Sequence, residues 1–119
     1  IYKDEMPERG DIVIFYSDEE QETMVKRVIG LPGETITFVG GHVYVDGERL
    51  DESAYLEDSV VTEPGEQDEF VVPDGCIFVL GDNREVSYDA RYWENPYISQ
   101  DKIQSDVEVV IPFHKLPWF

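Results

Sequence analysis

The sequence predicts an all-β domain in which mostly antiparallel, coiled sheets form a partly closed, barrel-like fold with little helix. Two observations predict this class: helical periodicity is nearly absent, and short runs rich in β-branched and aromatic residues alternate with Gly, Pro and Asp. A length of 119 residues fits one domain. Many short strands must hide their edges, which favours a closed or strongly coiled sheet. We therefore expect residues 1–119 to form a single domain.

The individual strands follow from these short runs. Predicted strands cover residues 11–16, 23–29, 35–39, 42–46, 69–72, 76–80 and 105–111. Gly40 and Gly41 suit the positive φ of a tight turn, so 35–39 and 42–46 are expected to form a hairpin. The turn sequence Pro73-Asp-Gly75 predicts a second hairpin between 69–72 and 76–80. Residues 98–103 are the one place where a short helical turn is expected.

Composition and charge exclude several classes of function. The chain has 27 acidic and 9 basic residues, a formal charge of -18, which argues against nucleic-acid binding and against docking on anionic lipid. Its 41% hydrophobic content is too high for a disordered chain, and no apolar run approaches a bilayer span. The single cysteine, Cys76, forbids an internal disulfide. His42 and His114 lack ligand spacing, so neither a metal site nor a cofactor is expected.

The segment 51–68 has few apolar residues. From Asp46 through Glu69 there are ten acidic residues and one base, Arg49. Runs of like charge are usually solvated, so we interpret 51–68 as an acidic loop or peripheral insertion. A calcium site is the alternative, but the acids lack the order of oxygen ligands of an EF-hand loop.

Lys26 interrupts an apolar row. Strand alternation places it on one face with Met24 and Val28. One interpretation is an edge-strand lysine whose amine reaches water. The other is a buried lysine, whose pKa would be lowered so that its neutral amine could act as a general base.

The segment GDNREVSYDAR, residues 81–91, directly follows the apolar run 76–80. Its first three residues are common in turns. Asp89 and Arg91 lie two positions apart, share a face in an extended segment and could pair. The segment is either a polar loop whose charges hold one another, or a set of side chains that orients a catalytic group.

Three blocks of the sequence resemble, in order, the bacterial type I signal peptidases. They are RGDIVIF at 9–15, MVKRVIGLPG at 24–33, and GDNREVSYDAR at 81–91. The short insertion 51–68 is more similar to Gram-positive members than to Gram-negative ones. Ala90 stands where the family often has serine, and we expect a small effect from this difference.

The resemblance implies a serine–lysine dyad, the peptidase S26 type of catalysis. Lys26 would be the general base and Ser87 would hydrogen bond to its amine. The stretch before the base, Thr23-Met24-Val25, would bind extended substrate and prefer small residues. The remaining members of the supporting catalytic loop would be Asp82, Asn83, Arg84, Asp89 and Arg91, with Arg27 near the last two.

The nucleophilic serine of the family lies in a segment before the block at 9–15. Ser17, Ser53, Ser59, Ser99 and Ser105 stand in unrelated contexts. We therefore expect the nucleophile and an N-terminal membrane anchor to lie upstream of this chain, and residues 1–119 alone to be inactive.

The resemblance implies a serine endopeptidase at the extracytoplasmic face of the bacterial cell membrane that removes signal peptides from exported preproteins. Two alternatives stay open. One is a noncatalytic relative that serves as a chaperone or binding module in surface protein assembly. The other is the self-cleaving domain of an SOS-type repressor, against which the block at 81–91 argues.

Overall fold

The computed structural model describes residues 5–107, which form two antiparallel sheets. The strands are β1 Ile12–Ser17, β2 Glu22–Gly30, β3 Thr35–Val39, β4 His42–Val45, β5 Glu48–Arg49, β6 Glu69–Val71, β7 Cys76–Leu80, β8 Ile98–Ser99 and β9 Ile103–Val107. A 3-10 turn covers Gln100–Lys102, and residues 5–107 contain no α-helix. The predicted all-β class is thus confirmed. His114 and positions 108–111 of the last predicted strand lie outside the described residues.

The first sheet has the strand order β8-β7-β2-β1-β9 and the second has the order β5-β4-β3-β6. Strand β2 occupies the centre of the five-stranded sheet. It pairs with β1 along residues 22–27 and with β7 only along residues 27–30. One edge of residues 22–26 therefore has no strand partner within residues 5–107.

The two predicted hairpins have different outcomes. Strands β3 and β4 form the first one, and the Gly40–Gly41 turn has φ of 59° and 85°. The second hairpin is wrong, because β6 pairs with β3 while β7 pairs with β2. The turn Pro73-Asp-Gly75 instead carries the chain from one sheet to the other. A tight turn reverses the chain whether or not its flanking strands pair, so the turn sequence alone could not decide between the two.

An aromatic cluster joins the sheets. The rings of Phe70 and Phe78, one from each sheet, have centroids 4.7 Å apart, and Phe38 packs edge-on to Phe70 at 6.1 Å. Gly30 marks a close approach beside this cluster. A Cβ there would lie 2.9 Å from the Cδ1 atom of Ile36, so no side chain fits without a shift. The cluster and this contact set the distance between the sheets.

The region 98–103 is only partly the helical turn that was expected. Residues 98–99 form β8 against Cys76 and Ile77, and the 3-10 turn follows. The last strand begins at Ile103, two residues before its predicted start, because Ile103 is buried against β1 as the partner of Phe15.

The acidic segment 51–68 contains neither helix nor strand. Most of its residues are exposed, but Tyr55 and Thr62 are buried. The Thr62 N–H donates to the carbonyl oxygen of Gly41 at 2.8 Å, and the carbonyl of Glu63 accepts from Arg91 Nη1 at 2.9 Å. The segment is therefore anchored to the body of the domain at several points.

Candidate functional site

Lys26 is the last residue of β2 before this strand begins to pair with β7 as well as with β1. Its residue is 6% exposed, and its Nζ atom donates to the hydroxyl of Ser87 at 3.1 Å. The amine does not extend into water as an edge-strand lysine would. The register explains its surroundings: Arg27 pairs with Leu80, so the loop that follows Leu80 begins beside Lys26.

The surroundings of Lys26 lower the pKa of its amine below the ordinary 10.5. Burial is the largest cause, because it disfavours the charged ammonium. Asp89 opposes this effect, Arg91 adds to it, and the carboxylates of Glu22 and Asp82 oppose it more weakly. A lowered pKa increases the fraction of neutral amine near neutral pH, and the neutral amine can accept a proton.

Ser87 is held by the backbone of its own loop. Its residue is 5% exposed, and its N–H donates to the carbonyl oxygen of Asn83 at 2.8 Å, which closes a turn over residues 83–87. Its neighbours Val86 and Tyr88 are exposed. The turn therefore directs the Ser87 hydroxyl inward while the residues on either side face solvent.

Asp89 and Arg91 form the ion pair that their spacing predicted. Arg91 Nε and Nη2 donate to the two carboxylate oxygens of Asp89 at 2.8 and 2.9 Å, and neither side chain has any exposed surface. The Asp89 carboxylate also accepts from the N–H of Gly81 at 3.0 Å, and Arg91 Nη2 donates to the carbonyl of Arg84 at 3.1 Å. The pair thus ties both ends of the 81–91 loop together. Ala90, between them, is fully buried.

Arg27 does not join Asp89 and Arg91, contrary to the sequence expectation. Its Nε and Nη2 atoms donate to both carboxylate oxygens of Asp82 at 2.9 and 2.7 Å. Its Nη1 atom donates to the carbonyl of Gly10 at 2.7 Å. Alternation explains the difference: Arg27 lies on the opposite face of β2 from Lys26, so it reaches Asp82 near the start of the loop and not the far end.

Arg84 is buried, and its guanidinium contacts the acidic segment 51–68. Its Nε donates to the carbonyl of Gly81 at 2.7 Å, and its Nη atoms meet both carboxylate oxygens of Glu52 at 3.1 and 2.6 Å. Nη1 also donates to the hydroxyl of Thr62 at 2.9 Å. The sequence analysis missed Glu52, Tyr55 and Thr62. A tyrosine in a segment otherwise poor in apolar residues was the available signal.

The stretch Thr23-Met24-Val25 lines an open groove of about 520 Å³ that also contains Lys26 and the exposed Tyr88. Met24 and Val25 are half-buried and Thr23 is exposed. The groove runs along the unpaired edge of β2, where backbone groups are available to an extended peptide. The structure therefore brings the predicted base, its serine partner and the predicted substrate residues to one place.

Within residues 5–107, no group of three His, Cys, Asp or Glu side chains is placed to hold a metal ion. In the same range, no helix has both the length and the apolar character needed to cross a bilayer.

The sequence is similar to those of known proteins. The family model "Signal peptidase, peptidase S26" matches residues 1–112. Over 95 residues the chain is 40% identical to signal peptidase I of Leptolyngbya laminosa, covering 73% of this chain and 45% of that protein. It is 39% identical over 102 residues to signal peptidase I of Bacillus caldolyticus, covering 77% of this chain and 56% of that protein. The matches thus span about half the length of these relatives.

The fold is also similar to a solved structure. A crystal structure of a signal peptidase I from Enterococcus faecalis superposes with a TM-score of 0.68 at 30% identity, over 88% of this chain and 98% of that one. Membership of one family therefore explains both the all-β architecture and the three sequence blocks. The chain belongs to the signal peptidase family, peptidase S26.

Proposed function

We propose that this chain is the catalytic core of a signal peptidase I, a serine endopeptidase that cuts signal peptides from exported preproteins after small residues. The observation that carries the proposal is the buried Lys26 amine, 3.1 Å from the hydroxyl of Ser87 and open to a groove along a free strand edge. A buried amine of lowered pKa is the kind of base that activates a serine nucleophile. The proposal treats residues 1–119 as one domain with 51–68 as its insertion.

In the proposed reaction, the neutral Lys26 amine accepts the proton of a serine hydroxyl as that oxygen attacks the substrate carbonyl. The resulting ammonium then donates the proton to the leaving amine of the cut peptide bond. The hydrogen bond between Ser87 and Lys26 orients the Lys26 amine. The ion pairs Asp89–Arg91 and Arg27–Asp82 hold the loop that carries Ser87.

The nucleophilic serine is proposed to come from a segment that precedes this chain in the full-length protein. Six serines occur in residues 1–119, and Ser87 is the one that hydrogen bonds to Lys26 within the described residues. Ser87 is almost fully buried and its oxygen already accepts from the amine. This suits an orienting partner better than a nucleophile that must reach a substrate. Residues 1–119 alone are accordingly proposed to be inactive.

Thr23, Met24 and Val25 are proposed to bind the signal peptide. An extended peptide added to the free edge of β2 would satisfy backbone groups on both chains, and the shallow groove wall would favour small side chains near the cut. The full-length protein is proposed to act at the extracytoplasmic membrane face, held there by an N-terminal anchor. No cofactor enters this mechanism.

The decisive experiment compares cleavage of a signal-peptide substrate by the full-length protein and by its Lys26→Ala variant. Cleavage after a small-residue site, lost in the folded variant, supports the peptidase. Lys102→Ala is the matched control, because Lys102 is an exposed surface lysine paired with Asp18. Absence of cleavage by the folded full-length protein would favour the noncatalytic chaperone or binding module.

A further inference from the structure

The acidic segment 51–68 makes contact with both arginines that hold the start of the 81–91 loop. Glu52 accepts two hydrogen bonds from Arg84, whose side chain has no exposed surface. The ring of Tyr55 lies 4.1 Å from the guanidinium carbon of Arg27. Stacking of a cation on an aromatic face is favourable, most of all where water is excluded.

Glu52 and Tyr55 also bind each other. The Tyr55 hydroxyl donates to Glu52 Oε2 at 2.9 Å, the oxygen that also accepts from Arg84 Nη2. Burial is the main cause that raises the pKa of this hydroxyl far above its ordinary 10.0. The hydroxyl therefore keeps its proton and remains a donor at neutral pH. One short stretch thus connects two arginines that come from different parts of the chain.

Both arginines act on the backbone that leads to Ser87. Arg27 holds the carboxylate of Asp82, and Arg84 Nε holds the carbonyl of Gly81. The carbonyl of Asn83, the residue after Asp82, accepts a hydrogen bond from the N–H of Ser87. A displacement of either guanidinium would therefore move the turn that directs the Ser87 hydroxyl toward Lys26.

We propose that Glu52 and Tyr55 are positioning residues for the Lys26–Ser87 pair. They fix the guanidinium groups of Arg84 and Arg27, and through them the loop that covers the Lys26 amine. Their effect on peptidase rate rests on the proposed function, whereas their effect on Lys26 itself does not. The segment 51–68 then contributes to the site although it contains none of the groups proposed to take part in proton transfer.

If the acidic segment acted on Lys26 only through its charge, the pKa of Lys26 would shift in the opposite direction from the shift that a positioning role predicts. Removing a carboxylate at a distance leaves the surroundings less negative, which disfavours the ammonium and lowers the pKa of Lys26 further. Loosening the loop admits water to Lys26, which favours the ammonium and raises its pKa. The substitutions leave the charged residues around Lys26 unchanged, namely Glu22, Asp82, Asp89 and Arg91. The direction of the shift therefore distinguishes positioning from charge.

The first experiment titrates Lys26 in the full-length protein labelled with [13C]lysine, following the 13Cε chemical shift by NMR. The chain has four lysines, and the signal missing from Lys26→Ala assigns the resonance. We expect Glu52→Gln and Tyr55→Leu to raise the pKa of Lys26 by about one unit, a tenfold change in proton affinity. Tyr55→Phe keeps the ring over Arg27 and should shift it less.

Asp58→Asn is the matched control for charge. Asp58 is exposed in the same segment, and its replacement removes one negative charge just as Glu52→Gln does. We expect it to leave the pKa of Lys26 unchanged or slightly lower. Equal shifts in Glu52→Gln and Asp58→Asn, or a lower pKa in both, would overturn the proposal.

The second experiment measures kcat/KM of the full-length variants against pH. Misplaced orienting groups typically cost about 10- to 100-fold in rate. We expect kcat of Glu52→Gln and of Tyr55→Leu to fall by this factor while KM is unchanged. The acidic limb of the kcat/KM profile of each variant should move to higher pH. An unchanged pH profile together with an unchanged Lys26 titration would reduce both residues to a structural role and overturn the proposal.

A variant that fails to fold must be distinguished from one that folds but has an altered site. Near-ultraviolet circular dichroism and thermal melting show whether each variant folds, and if Tyr55→Leu does not, Tyr55→Phe and Glu52→Gln carry the test. If the unmodified full-length protein cleaves no signal peptide, the peptidase proposal fails. The NMR titration still decides the positioning role of Glu52 and Tyr55, because it needs no substrate.

Discussion

The Lys26 amine and the Ser87 hydroxyl lie 3.1 Å apart, although 61 positions separate the two residues in the sequence. The pairing of β2 with β7 produces this contact. Arg27 is opposite Leu80 in the sheet, so the loop that starts at Gly81 emerges next to Lys26. The turn over residues 83–87 then returns Ser87 to the amine. A long-range strand register and a local turn therefore bring together the groups proposed to perform and orient proton transfer.

Lys26 should make the folding free energy depend on pH in a definite direction. Its pKa is lowered in the folded state, so the unfolded chain binds more protons at pH values between that lowered pKa and 10.5. Stability contributed at this site therefore rises with pH through that interval. We expect the wild type to gain stability relative to Lys26→Met as the pH increases from 7 toward 10.5, measured by urea unfolding.

Lys102→Met is the control for this measurement. The hydrogen bond with Asp18, the largest cause, raises the pKa of Lys102, so the contribution of Lys102 is fully present below pH 10.5 and is lost only above it. Its stability difference from the wild type should stay constant between pH 7 and 10.5. A constant difference for Lys26→Met as well would show that Lys26 is not desolvated in the folded protein.

Peptidase activity of the full-length protein should fall as the pH decreases through the pKa of Lys26. The ammonium form has no lone pair and cannot accept the serine proton, so the acidic limb of kcat/KM reports the free enzyme's base. Because burial lowers this pKa, the limb should lie below 10.5. A profile of kcat/KM against pH measures it, and a rate that increases on acidification would contradict Lys26 as the base.

Ser87→Ala should reduce kcat of the full-length protein about 10- to 100-fold while leaving KM nearly unchanged, because the base loses its orienting hydrogen bond but the groove is intact. Steady-state kinetics measures both constants. Ser59→Ala is the matched control, since Ser59 is exposed on the acidic segment.

A different outcome would reassign Ser87. If Ser87→Ala abolishes cleavage as completely as Lys26→Ala, and a serine-directed acylating reagent attaches to Ser87 in the wild type, Ser87 is itself the nucleophile. Labelling of a serine outside residues 1–119 would support the proposed upstream nucleophile. Mass spectrometry of the labelled peptide decides between the two.

Asp89→Asn should destabilise the fold strongly. It leaves the fully buried guanidinium of Arg91 without its counter-charge, a change that typically costs about 3–5 kcal/mol of unfolding free energy. Urea unfolding at neutral pH measures the loss. Asp58→Asn removes the same charge from an exposed site and should stay within about 0.5 kcal/mol of the wild type. Similar values for both variants would show that the Asp89–Arg91 pair does not hold the loop.

Much of the fold followed from local patterns. Strand alternation and the Gly40–Gly41 turn predicted the first hairpin, and the ends of most strands lie within two residues of their predicted positions. The second hairpin was wrong, because partner choice depends on which sheet edge is open, and residues 73–75 carry no information about that edge.

For the candidate site, the sequence named most of the residues that the structure brings together, but not the contacts among them. The spacing of Asp89 and Arg91 within one extended segment predicted their pair, since two residues on one face of a short stretch meet without help from the rest of the chain. The partner of Arg27 could not be predicted in this way. Its choice of Asp82 depends on the register of β2 against β7.

The sequence by itself determined the β class, the acidic character and the candidate groups for chemistry, because composition, period and motif are local properties. The tertiary structure decided whether the Lys26 side chain is buried or exposed, and it alone brought Glu52 to Arg84 and Tyr55 to Arg27. Burial, and ion pairing between residues far apart in sequence, depend on which distant segments meet. A charge pattern read along the chain contains no record of those meetings.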